Sequence, residues 1–377
     1  HDTVRRQRQM CIRDRLQGLE VQLILHIGMH KTASTTIQKR LQANNRLLQK
    51  YGYLYIAKER KTLLKAVLQK NFNPWRDLIQ YAKEMGSTPI VSHEAFSHVL
   101  CRRPSGSNTT CLGDWLVRTL NKAGVNITIV GFIRDQPSYL NSHYTQHVKR
   151  FTTAKSLEAY ATKAMRRSIH KSSCDPEQLF GWLKHHASVR TIFLPYGRSI
   201  TLPPALHRYP SEPFAQLIHC LEIPDSAHFE RMNNMNAQPG DLAIRTALQL
   251  RLELKRDGIR LDKTARQRAR ALLCKEAEQR NWAQTPYIGL NPELNQRIRD
   301  HFAAANNRFA QRIWGCRWDQ IFTTGPLAEA RSPIEAERDD MHQAIKRIRR
   351  KLFQSRPIRD SFRNAIRYVM GALRFFQ

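Results

Sequence analysis

Lys31 stands among four hydroxyl side chains in the run His30-Lys31-Thr32-Ala33-Ser34-Thr35-Thr36. A cation and several hydroxyl donors in one turn can hold a phosphate or sulfate group. Arg134 offers a planar fork of N–H donors matched to phosphate oxygens, and Ser142 follows it by eight residues. Glu94, directly after His93, can take the proton of an attacking hydroxyl, with His93 as the second choice. Two anion grips and a base are the parts needed to move an anionic group onto a hydroxyl.

The elements around these residues read consistently. Val21 to Ile27 is a short apolar run rich in branched residues, the pattern of a buried strand. Gly28 allows a sharp turn, and Ser34, Thr35 and Thr36 suit the start of a helix that continues through Ile37, Leu41 and Leu47. The first amides of such a helix lack internal partners and attract anions. Further strands are expected at Tyr53–Ile56, Pro89–Ser92, Val125–Ile133 and Val189–Leu194. Helices are expected over 58–86 with a break at Asn73-Pro74, over Asn108–Ala123, from Pro137 to Lys149, and over 156–171 and 175–187. Three more fill 241–313, while 196–240 reads as irregular and proline-rich. Strands separated by helices predict an α/β fold with a P-loop-like, mostly parallel sheet flanked by helices. Ligands of such sheets sit beyond the carboxyl ends of the strands. Lys31, Glu94 and Arg134 all fall at such ends, which predicts one shared site.

A nucleotide-binding Walker A loop would place Gly-Lys-Ser/Thr five residues after a first glycine; here Lys31 follows Gly28 by three, with no second glycine. The stretch His30 to Thr36 instead resembles the 5′-phosphosulfate loop of sulfotransferases that use 3′-phosphoadenosine 5′-phosphosulfate (PAPS). The family pattern has glycine where Ala33 stands, and alanine there is strained at any positive φ. Arg134 with Ser142 resembles the 3′-phosphate motif of the same family. Tyr144 to Lys149, Asn306 to Ala310 and Trp314-Gly315 are similar to bacterial members, so the resemblance spans residues 21 to 316. It implies sulfuryl transfer from PAPS to an acceptor hydroxyl, of a carbohydrate, without a metal. It assigns Lys31, Thr32, Ala33, Ser34, Thr35 and Thr36 to the phosphosulfate, and Arg134 with Ser142 to the 3′-phosphate. Glu94, or else His93, would be the base.

The chain has 377 residues, long enough for a sizeable core, and 62 Lys/Arg against 31 Asp/Glu give a net charge of +31. Such charge favours polyanionic partners without specifying a nucleic acid. Seven cysteines without a CxxC spacing read as reduced thiols, and the fifteen histidines show no metal-binding pattern. No apolar run approaches the roughly 18 residues of a membrane span, and no secretory signal is visible, so a cytoplasmic location is expected. Residues 1–20 read as a non-native or disordered leader, 21–325 as the sulfotransferase-like domain, and 326–377 as an appended basic helical tail. Residues 346–377 carry ten Arg/Lys and one Asp, with one apolar helix face after Pro357, a pattern able to dock on an anionic inner-membrane surface. Two other readings use the same residues: a P-loop kinase or nucleotidase, and a non-catalytic polyanion-binding protein.

Overall fold

A computed structural model describes residues 21–104, 110–166, 174–197, 200–224, 228–230, 240–323 and 332–354. Five strands, β1 (Val21–Gly28), β2 (Tyr53–Ile56), β3 (Thr88–Ser92), β4 (Val125–Ile133) and β5 (Val189–Pro195), form one all-parallel sheet. Its strand order is β2-β3-β1-β4-β5. The strands are those the apolar runs predict, and most of their residues are buried, as a sheet covered by helices requires.

The helices, in chain order, begin with α1 (Ser34–Ala43), α2 (Asn45–Lys50), α3 (Arg60–Leu68) and α4 (Asn73–Glu84). Next come α5 (Ala95–Leu100), α6 (Leu112–Lys122), α7 (Gln136–Lys149), α8 (Leu157–Met165), α9 (Pro176–Phe180) and α10 (Pro213–Cys220). The last are α11 (Asp241–Arg256), α12 (Lys263–Gln279), α13 (Pro292–Trp314), α14 (Trp318–Ile321) and α15 (Glu335–Phe353). The first predicted helix stops at Ala43 instead of running through Leu47. Asn44 turns its side-chain amide back onto the Arg40 carbonyl at 2.8 Å, and α2 restarts from there. Within the proline-rich stretch, α10 starts at Pro213 because Glu212 accepts from the Phe214 and Ala215 amides.

The chain divides into two compact units. The first comprises His1–Tyr139, Lys163–Met235 and Gln296–Gly325 and holds the sheet. One face of its sheet packs Ile24, Ile90, Val130 and Phe132 against Ile37 and Leu41 of α1 and Phe214 and Leu217 of α10. On α6, Leu116 is fully buried while Trp115 stays half-buried.

The second unit comprises Leu140–Thr162, Asn236–Asn295 and Pro326–Gln377. In it α15 packs on α11 and α12, burying Met341, Ala344, Ile345, Ile348 and Leu352. Residues 335–353, read from sequence as appended tail, are therefore built into this unit's core. The amphipathic segment after Pro357 lies outside the described residues. Among the described residues no helix is long and apolar enough to cross a membrane.

Candidate functional site

The site is built in the first unit from the carboxyl ends of β3, β1 and β4, neighbours in the sheet. Gly28 ends β1 opposite Phe132. A Cβ at Gly28 would lie 2.9 Å from the Phe132 amide nitrogen, so only glycine lets the two strand ends remain this close. The Met29 amide then donates to the Phe132 carbonyl at 3.2 Å, and the Arg134 amide donates to the Met29 sulfur at 3.4 Å.

Beyond Met29 the chain makes a tight turn with Lys31 at φ 69° and Ala33 at φ 61°, both left-handed. That conformation costs a residue with a Cβ ~1–2 kcal/mol. The strain expected of alanine at this position is therefore present. Thr32 is buried, and its hydroxyl donates to the Met29 carbonyl at 2.6 Å. Its one O–H holds the loop closed, a different use from the ligand donor read from sequence. Ser34 and Thr36 are half-buried and Thr35 is exposed at the first turn of α1. Ala33 caps that helix without a side-chain hydrogen bond, and the first turn carries no acidic residue. The positive end of α1 is thus not neutralised by its own first turn.

Arg134 crosses from β4 to this loop. Its Nη1 donates to the Lys31 carbonyl at 2.8 Å, its Nε donates to Ser138 Oγ at 2.9 Å, and its guanidinium lies 5.7 Å from the Tyr196 ring centre. The residues after Arg134 are locked in turn. Asp135 accepts from Arg299 Nη2 at 2.7 Å and from the Trp318 indole at 3.1 Å. Burial pushes the Asp135 carboxyl up despite Arg299 beside it. Gln136 and Asn306 exchange amide hydrogen bonds at 2.6 and 2.9 Å. Asn306 belongs to one of the stretches that carry the family resemblance; its contact with Gln136 helps hold the residues just beyond Arg134.

Glu94 follows β3 on the other side of β1. Its carboxylate accepts from Gln38 Nε2 of α1 at 3.0 Å, and Gln38 Oε1 accepts from Arg60 Nη1 at 2.8 Å. Arg60 also donates to the Tyr55 hydroxyl at 3.2 Å. Because arginine only donates and a carboxylate only accepts, this chain fixes the orientation of the Gln38 amide. Burial alone would raise the Glu94 carboxyl. Its backbone hydrogen bond, Gln38, and His93 and His30 outweigh burial and hold it below the usual range. Glu94 is consequently ionised near neutral pH.

His93 accepts the Ala95 amide on Nδ1 at 3.1 Å, so the neutral ring carries its proton on Nε2. Burial lowers its pKa. His93 thereby caps α5, which commits its Nδ1 to the backbone. His30 stacks on His98 with ring centres 4.8 Å apart and planes 16° apart. Burial lowers His30, and the Glu94 carboxylate opposes while His93 and Lys31 add to the lowering. His98 is 8% exposed, and neither ring nitrogen has a hydrogen-bond partner. Burial, with His30 and Arg102, pushes it down to about 3. His26, paired through Nδ1 with Ser92 Oγ at 2.7 Å between β1 and β3, is pushed down to about 4 by burial, against the pull of Glu94.

The structure brings Lys31, Thr32, Ala33, Ser34, Thr35, Thr36, His93, Glu94 and Arg134 into the first unit, at adjoining strand ends. Ser142 belongs to the second unit, and Arg134 bonds the Ser138 hydroxyl four residues along the chain. Gln38, Arg60 and His98 were not read from sequence. Their roles depend on strand order, for which 56 residues of separation between Gln38 and Glu94 give no local signal. Among the described residues no group of three or more His, Cys, Asp or Glu is arranged to hold a metal ion, and Cys101 and Cys111 are both free thiols. Compared with family models, curated proteins and solved structures, the chain matches none.

Proposed function

We propose that this chain is a P-loop-like, PAPS-dependent sulfotransferase that transfers a sulfuryl group to an acceptor hydroxyl of a carbohydrate. The observation that carries the reading is the Arg134 guanidinium bonded to the Lys31 carbonyl at 2.8 Å, which joins two cationic residues from adjacent strand ends. A nucleotide with phosphate groups at both its 3′ and 5′ positions needs two such cations close together. The uncapped α1 start without a first-turn carboxylate supports binding of the 5′ end.

In this reading Lys31 and the Ser34–Thr36 turn meet the phosphosulfate, and Arg134 meets the 3′-phosphate. The acceptor oxygen forms a bond to sulfur as the sulfur–oxygen bond to the 5′-phosphate breaks. 3′-Phosphoadenosine 5′-phosphate leaves, and the hydroxyl proton passes to Glu94. Lys31 and the α1 amides stabilise the charge that grows on the leaving phosphate. Glu94, ionised and oriented by Gln38, is ready to accept the proton at neutral pH.

Thermal unfolding with three ligands tests this. 3′-Phosphoadenosine 5′-phosphate at about 100 times its Kd stabilises by ~2.7 kcal/mol if it binds the folded state only. The expected result is a clear rise in Tm with this ligand at micromolar concentration and none with ATP-magnesium. A rise with ATP-magnesium alone would support the kinase or nucleotidase reading. A rise with heparin alone would support plain polyanion binding.

A further inference from the structure

Away from the strand ends, the first unit contains a cavity of about 270 Å³ lined by Lys70, Thr110, Asp114, Trp115, Arg118 and Lys122 among others. It lies where the turn after α3 faces the solvent side of α6, two helices that pack together. Three of its lining residues are exposed cations, and none has an ion-pair partner among the described residues. Arg118 and Lys122 are four residues apart on one helix, where like charges repel. Asp114, which also lines the cavity, makes no ion pair with them among the described residues. Its two oxygens are committed to His186 Nε2 at 2.7 Å and to the Cys111 amide at 2.6 Å. Trp115 is half-buried at the wall, and its indole N–H has no hydrogen-bond partner among the described residues.

We infer that this cavity is a binding subsite for an anionic saccharide unit, a pyranose bearing a sulfate or carboxylate group. The chemistry requires both halves of the lining. An indole packs against the apolar C–H face of a sugar ring and offers one donor to a hydroxyl. Lys70, Arg118 and Lys122 surround the space with the charge that a sulfate or carboxylate needs. A membrane headgroup would meet the cations without using the tryptophan, and a cavity of this volume suits one ring rather than a flat surface. The site is separate from Lys31 and Arg134 and stands whether or not the chain transfers sulfate.

The test is fluorescence anisotropy of the full chain with a labelled, sulfated heparin-type disaccharide as probe, at physiological salt and without nucleotide. Arg118→Ala/Lys122→Ala together weaken binding about tenfold, Lys70→Ala and Trp115→Leu each weaken it several-fold, and the unsulfated disaccharide binds at least tenfold more weakly. Arg76→Ala/Lys83→Ala, which removes the same charge from α4, changes binding less than twofold. Equal losses in the two double variants would overturn the proposal, since diffuse charge then accounts for binding. Tighter binding of a thymidine dinucleotide that is lost in the same cavity variants would also overturn it, in favour of single-stranded nucleic acid. Affinity for 3′-phosphoadenosine 5′-phosphate is unchanged in all these variants, so failure here leaves the donor-site reading to its own test.

Discussion

Arg134 Nη1 and the Lys31 carbonyl oxygen are 2.8 Å apart, so the cation at the end of β4 also fixes the loop at the end of β1. One side chain thus has two uses, holding the turn in which Lys31 sits and presenting charge beside it. Removal of Arg134 should show both effects. A hydrogen bond to a charged group contributes about 1.5–3 kcal/mol. Arg134→Ala is expected to lower stability in urea by about that much and to weaken 3′-phosphoadenosine 5′-phosphate binding more than tenfold. Lys31→Ala, which keeps the carbonyl and loses only the ammonium, abolishes transfer with a smaller stability loss.

The left-handed turn makes a second prediction. Ala33 at φ 61° carries ~1–2 kcal/mol of strain that glycine would not. Glycine adds roughly 0.4–1 kcal/mol of unfolded-chain entropy in return. Ala33→Gly should therefore be neutral to stabilising by about 1 kcal/mol, while Ala33→Val destabilises. The urea midpoint of Ala33→Gly should lie at or above that of the unaltered chain and that of Ala33→Val below it; a lower midpoint for Ala33→Gly than for Ala33→Val would contradict the turn described.

Acid stability follows from the buried histidines. His26 is held at about 4 and His98 at about 3, against the ordinary histidine value of 6.5. Below 6.5 the unfolded chain binds protons that the folded chain refuses, so stability falls as pH drops from 6.5 toward these values. Each residue contributes on the order of 3 kcal/mol to that fall. Among the described residues the His98 ring has no hydrogen bond to lose. His98→Leu should then flatten the stability curve between about pH 6.5 and 4 and leave stability near pH 8 little changed. An unaltered acid limb in His98→Leu would mean that the ring is not buried as described.

Gln38 helps to set the ionisation of Glu94, the base of the proposed reaction. Without its amide, burial of Glu94 is less well opposed and the carboxyl titrates at higher pH. Gln38→Leu should move the acidic limb of the pH profile of kcat/KM upward, with Tm unchanged within about 2 °C. A lower kcat at every pH with an unmoved limb would assign Gln38 a packing role only.

Much of this was readable from residues alone, for identifiable reasons. β1, β3, β4 and β5 are short apolar runs with sharp ends, so their limits follow from burial, and Lys31, Glu94 and Arg134 are placed by those limits. α5 carries little signal of its own, because His93 caps it through a ring nitrogen, a cap type with no sequence signature. α10 did carry a signal, since Glu212 before Pro213 is a start that the surrounding prolines obscured. The bond from Arg134 to Ser138 depends on how the strand end meets the helix, which spacing alone does not decide. The Thr32 hydroxyl closes the turn onto the Met29 carbonyl, a bond that the residue order alone does not announce.

The central claim is that Lys31 and Arg134 grip one nucleotide. Isothermal titration of 3′-phosphoadenosine 5′-phosphate into the full chain, its Lys31→Ala variant and its Arg134→Ala variant tests it directly. The account predicts one site per chain with at least tenfold weaker binding in each variant. Absence of binding to the unaltered chain, or equal affinity in all three proteins, would contradict it.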